Sequence, residues 1–217
     1  MSPQDNPKDR GRYYESISRE WDSWMDAQEL RKRLRIVFER QLAREEVQGR
    51  RVLDAGCGTG HFSRVLSGWG AELVSLDVGE GLLSEVLKKC RTRAVEGTVL
   101  DLPFSDGEFE IVLCTEVIEH TPDPRAAVAE LCRVLAPGGT LLLTVPNRFW
   151  RPLVAAAETL RLRRYAGFEN WAGYEELRRW VREGGMSVEE QSGFNPIPHT
   201  FFCRPWFDPL DRAAPLH

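Results

Sequence analysis

Residues Asp54-Ala55-Gly56-Cys57-Gly58-Thr59-Gly60 form a glycine loop. A short apolar stretch, Arg51 to Ala55, runs into it, and a helical pattern from His61 to Trp69 leaves it. Glycine lets a backbone turn sharply and lets a ligand approach with no Cβ in the way. The next apolar stretch, Glu72–Asp77, ends on a carboxylate 21 residues after Gly56. An acid about 20 residues beyond the first glycine is spaced to meet a ribose hydroxyl. Alone, the glycines read as a tight turn and Asp77 as an N-cap. Together, in a strand–loop–helix–strand context, they favour a nucleoside site.

The rest of the chain extends that unit. A helical stretch runs from Gly81 to Cys90, a third strand from Ala94 to Leu100 and a fourth from Phe109 to Thr115. A helix over Pro124–Leu135 is stopped by Pro137-Gly138-Gly139, and Thr140 to Val145 reads as a fifth strand. Strands alternating with helices predict βαβ units and a parallel sheet. Right-handed crossovers then give an α/β, doubly wound three-layer sandwich. Two weaker strands, Met186–Gln191 and Thr200–Cys203, are expected at the sheet edge, for seven in all. Residues 1–48 are predicted to form a polar tail and a helical lid, with Leu30, Leu34, Val37, Phe38 and Leu42 at helical spacing. Residues 49–217 would form the globular domain, making one unit with that extension.

Composition excludes other classes. The formal net charge is −4 over 217 residues, which disfavours a bulk phosphate-backbone binder, so no nucleic-acid partner is expected. The first residues lack the apolar core of a secretory signal. The five cysteines are scattered, with no CxxC pair, which points to reduced thiols and a cytoplasmic protein.

The spacing GCGTG is tighter than the GxGxxG of dinucleotide binders. Asp54 stands directly before the loop, where a pyrophosphate would meet a negative charge. That favours a ligand carrying positive charge, and S-adenosylmethionine (SAM), with its ammonium and sulfonium, fits.

The fourth strand runs into Glu116-Val117-Ile118-Glu119-His120-Thr121-Pro122-Asp123-Pro124. If this segment is helical, Glu116, Glu119 and His120 share one face. Three readings stand side by side: ligands for Mg²⁺ or Zn²⁺, a general base at His120 tuned by Glu119, or helix capping and loop hydrogen bonds.

LDAGCGTG, the strand-ending Asp77, Leu100-Asp101-Leu102-Pro103-Phe104 and LAPGGTLLLTVPN together resemble the class I SAM-dependent methyltransferases. The resemblance implies that Asp54, Gly56 and Gly58 hold the methionine part, Asp77 the ribose, and Asp101 and Leu102 the adenine. The chain is most similar to the ubiquinone-biosynthesis O-methyltransferases, through Arg35, EVIEHTPDP, Asn147-Arg148 and the segment Gly193 to Phe201. That likeness implies SAM contacts from Arg35 and Thr115. In eukaryotic members the positions of Glu116, Glu119 and His120 bind a divalent metal, and the insert after the fifth strand meets membrane. Here that insert, 151–165, is basic and amphipathic, which suits an anionic bilayer, or equally a lid helix. The loop ends GTG where that family usually has three glycines, and the residues from Arg204 to Pro209 match it poorly. The expected partner is a small aromatic or lipid-like acceptor, with the protein cytoplasmic or peripheral at the inner membrane face. Methylation at N or C of another small metabolite, and SAM binding without catalysis, are the alternatives.

Overall fold

A computed structural model describes residues 27–159 and 169–191. Its centre is a parallel five-stranded sheet. The strands are β1 (Arg51–Ala55), β2 (Glu72–Asp77), β3 (Arg93–Glu96), β4 (Phe109–Thr115) and β5 (Leu135–Thr144), in the order β3-β2-β1-β4-β5. The order reverses between β1 and β4, and in such sheets ligands bind outside the carboxyl ends of the strands at that point.

The strands are nearly continuous runs of apolar residues because both faces are covered. Successive side chains alternate between the faces. Leu53, Ala55, Val74, Leu76, Val112 and Cys114 join one core, with Leu131 and Val128 of α5 (Pro124–Val134) and Leu177 and Trp180 of α7 (Tyr174–Glu183). Val52, Leu73, Ile111 and Leu113 join the other, with Phe62 and Leu66 of α3 (His61–Gly68). Asp54, Ser75 and Asp77 share the second face by the same alternation.

The N-terminal segment seals that second core. Helix α1 (Ala27–Ile36) continues into a π-helical turn, Val37–Gln41, and a short helix α2 (Arg44–Val47). Val37, Leu42 and Val47 are buried against the sheet. The Phe38 ring packs edge-on to Trp69 at 4.9 Å and tilted to Phe62 at 5.8 Å.

Several boundaries differ from expectation. The third strand is shorter, because Gly97 leaves it for a turn closed by a Thr98–Asp101 bridge. The fifth is longer and starts where α5 ends, since the bulge between Phe109 and Ile111 absorbs the Pro-Gly-Gly step. A Cβ on Gly139 would lie 2.7 Å from the Glu110 carbonyl oxygen, so only glycine fits there. Helix α4 spans Glu80–Lys89, and α6 covers Arg151–Thr159. Met186–Gln191 is not a strand: after Gly185 turns at φ 81°, Met186 packs against the first core instead. Thr200–Cys203 and the segment Gly193 to Phe201 lie outside the described residues, as do 160–165 of the basic helix. Of the seven expected strands, five occur among the described residues. Cys57, Cys90, Cys114 and Cys132 are free thiols. No helix among the described residues is long and apolar enough to cross a membrane.

Candidate active site

The glycine loop is built around its positive φ angles. Gly56, Gly58 and Gly60 have φ of 77°, 53° and 85°. The Gly56 and Cys57 amides both donate to the Leu76 carbonyl, at 2.7 and 3.0 Å, which fastens the loop over β2. A Cβ on Gly56 would collide with the Val117 side chain, and one on Gly60 would lie 2.9 Å from Val86. Among the described residues, a Cβ on Gly58 would meet nothing within 4 Å. The loop is therefore packed from below at both ends and open in the middle.

Two buried acids flank that opening. Asp54 is 1% exposed and accepts a hydrogen bond from the Ser63 hydroxyl at 2.6 Å. Ser63 lies 2.9 Å from Ser75, which lies 2.9 Å from Thr92, whose hydroxyl donates to the Leu73 carbonyl. Burial pushes the Asp54 carboxyl up to about 7, with the Asp77 charge adding to it and the Ser63 hydroxyl opposing. Asp77 takes the Gly58 amide on one oxygen and the Val78 amide on the other, each at 2.8 Å. Burial raises its pKa against those bonds. The Gly79 amide also donates to this carboxylate, and the acceptor capacity left over is what a ligand hydroxyl would use.

The strip that follows β3 starts beside this pair, since the Gly97 amide donates to the Asp77 carbonyl at 3.0 Å. Within it Asp101 is exposed and Leu102 is buried. Thr115 ends β4 opposite Thr144 of β5.

The segment after β4 is not the helix its spacing suggested. Glu116 adopts φ 55°, in the left-handed region, and Ile118–His120 is a single 3₁₀ turn. This separates Glu116 from the face it would share with Glu119 and His120 in an α-helix. Among the described residues no three His, Cys, Asp or Glu groups gather as a metal site. The donors thus do not fit a bound Mg²⁺ or Zn²⁺ here. Glu119 is 2% exposed, and among the described residues its Oε2 has no hydrogen-bond partner. Burial, and next the Glu116 charge, hold its carboxyl well above the usual range. His120 Nε2 lies 3.9 Å from Glu119 Oε1.

Other segments converge on this turn. Arg33 of α1 pairs with Glu116 at 3.6 Å. The Asn170 amide donates to the Glu119 carbonyl at 2.6 Å. The Tyr174 phenol is raised by burial and by the Glu116 charge. Arg35 instead faces outward and pairs with Glu39 at 3.0 Å. Nothing in the run Arg31-Lys32-Arg33-Leu34-Arg35 singles out Arg33 from sequence. Nor does any motif flag Ser63, Val117 or Tyr174, which come together only through the fold.

Sheet order, open glycine loop and paired acids define a class: an open α/β protein built to hold a nucleoside at its switch point. The family described as "Methyltransferase domain" matches residues 53–143. The ubiquinone biosynthesis O-methyltransferase of Methylococcus capsulatus is 33% identical over 174 residues, covering 73% of each chain. That of Thiobacillus denitrificans is 31% identical over 176 residues, covering 73% of this chain and 74% of its own. The structure of magnesium protoporphyrin IX methyltransferase from Synechocystis, with bound SAH, shares the fold with a TM-score of 0.68 at 18% identity, covering 87% of this chain and 92% of its own. The chain belongs to the class I SAM-dependent methyltransferases, in the branch that includes these ubiquinone biosynthesis relatives.

Proposed function

We propose that this methyltransferase methylates a phenolic oxygen on a small quinone-precursor acceptor. The observation that carries the donor half is the buried pair Asp54 and Asp77 around the open Gly58. The acceptor half is supported by relatives at 31–33% identity that are named for ubiquinone biosynthesis.

Bound SAM supplies a methyl group on a positively charged sulfur. Asp54 and the Gly56–Gly58 backbone hold the methionine part, and the cation draws Asp54 into its charged form. Asp77 accepts the ribose hydroxyls, and Asp101 and Leu102 line the base. Thr115 lies at the carboxyl end of β4, beside the reacting centre. His120 takes the phenol proton, and the oxygen attacks the methyl in line while the C–S electron pair stays with sulfur. Burial favours the neutral form of Glu119, whose carboxyl lies 3.9 Å from His120 and orients it. Alignment provides most of the acceleration, with general base catalysis adding typically 10²–10⁴-fold.

The segment 1–48 acts as a lid, supported by the Arg33–Glu116 contact. Helix α6, with the residues that follow it to 165, serves as a peripheral contact with the inner membrane face. It is supported by Phe149 at 78% exposure and by Leu153, beside Arg148 and Arg151. A second reading, N-methylation of a small amine that is drawn in as its ammonium and gives up that proton before transfer, is favoured by the acidic groups Glu116 and Glu169 beside Glu119.

Purified protein incubated with labelled SAM and catechol-type phenols, in parallel with small amines, tests these readings by mass spectrometry. A labelled methyl ether supports the first, and labelled methylamine with no ether replaces it with the second.

A further inference from the structure

The strip 97–108 between β3 and β4 carries little regular structure of its own, only the Thr98–Asp101 bridge. Its backbone is held from outside by one turn of α5. Glu130 Oε2 accepts the Leu102 amide hydrogen at 2.8 Å. Arg133 Nη2 donates to the Leu102 carbonyl at 3.0 Å, and Nη1 to the Phe104 carbonyl at 2.8 Å. The same guanidinium grips Glu130 through Nε at 2.7 Å and Nη2 at 2.8 Å, and reaches Asp106 at 2.8 Å. Leu102 is thus bracketed, its N–H by a carboxylate and its C=O by a guanidinium, and the two charged groups lock each other. A planar fork satisfies several fixed acceptors at once, where an ammonium serves them only as a point charge.

We propose that Glu130 and Arg133 are positioning residues for the base of the methyl donor. They set the Asp101–Leu102 wall in place before the ligand arrives, and donor affinity and base preference depend on them although neither touches the nucleoside. This inference rests on the reading of Asp101 and Leu102 as the base-side wall. A pre-set wall spares the ligand the entropy of ordering a loop. The Arg133 carbonyl also accepts the Gly107 amide at 2.9 Å, so the strip is tied to this one residue from Leu102 to Gly107.

The test compares wild type with Glu130→Gln and Arg133→Lys, which keep size and, for the lysine, charge. Titration calorimetry is run with S-adenosylhomocysteine and with S-inosylhomocysteine, alongside hydrogen exchange at Leu102. In both variants, weakening this set of charge-assisted bonds is expected to cost at least about tenfold in S-adenosylhomocysteine affinity, to speed Leu102 exchange about as much and to shrink the preference for adenine over hypoxanthine. Wild-type affinity and base preference in both variants, with only a lower melting temperature, would overturn the inference and make the pair a structural brace. A wild type that binds both ligands equally would overturn the base-side wall itself, and the inference with it. If Arg133→Lys does not fold, Glu130→Gln decides by the same readouts.

Discussion

The Asp77 carboxylate accepts the Gly58 amide hydrogen at 2.8 Å. The acid at the end of the second strand therefore shapes the glycine loop before any ligand is present. Asp77→Ala removes charge-assisted bonds to the Gly58, Val78 and Gly79 amides as well as the proposed ribose contact. Calorimetry with S-adenosylhomocysteine should show affinity down by about a hundredfold or more, while circular dichroism shows the fold retained. Unchanged affinity would remove the ribose role.

Asp54 makes stability depend on pH in a definite direction. Its carboxyl is pushed up to about 7 by burial, against 3.8 for a free group. The folded protein holds that proton more tightly than the unfolded chain. The stabilisation is complete below about pH 4 and is lost as pH rises through about 7. Asp54→Asn keeps an oxygen for the Ser63 hydroxyl and carries no charge. It should melt higher than wild type at pH 8, with the gap closing towards pH 5, and bind the sulfonium donor more weakly. Equal pH dependence of the two melting curves would refute this.

The glycines of the loop are not equivalent. Gly56→Ala drives a methyl group into Val117, whereas Gly58→Ala meets open space and strains only the backbone. Urea unfolding should show Gly56→Ala less stable by several kcal/mol and Gly58→Ala by about 1 kcal/mol. Val117→Ala should rescue part of the first and none of the second.

His120→Ala should lower turnover by about 10² or more with donor affinity near wild type, once an acceptor is in hand. Steady-state rates and calorimetry separate the two effects. Wild-type turnover would make His120 a structural residue.

Much of this was legible in the chain because it is local. Strand, loop and helix from Arg51 to Trp69 follow from glycine spacing and apolar runs, and Asp77 follows from its distance along the sequence. The turn after β4 was not legible. Glu116, Glu119 and His120 have helical spacing, yet Glu116 adopts a left-handed backbone in which its amide donates to the Thr144 carbonyl of β5 at 3.0 Å. A neighbouring strand outside the local window decides that conformation. Arg33 rather than Arg35 meets the site for a similar reason: burial of Val37 and Leu42 fixes the rotation of α1, and a run of basic residues carries no mark of that rotation. Met186–Gln191 alternates enough to resemble a strand but spends Met186 on the core.

Val117 ties the two halves of the crevice together. Its side chain fills the space beneath Gly56, while the two residues after Ile118 in the same short turn are Glu119 and His120. Any remodelling of that turn to broaden the range of compounds modified will therefore be felt in how tightly the donor is gripped. Efforts to redirect this enzyme should therefore spare position 117.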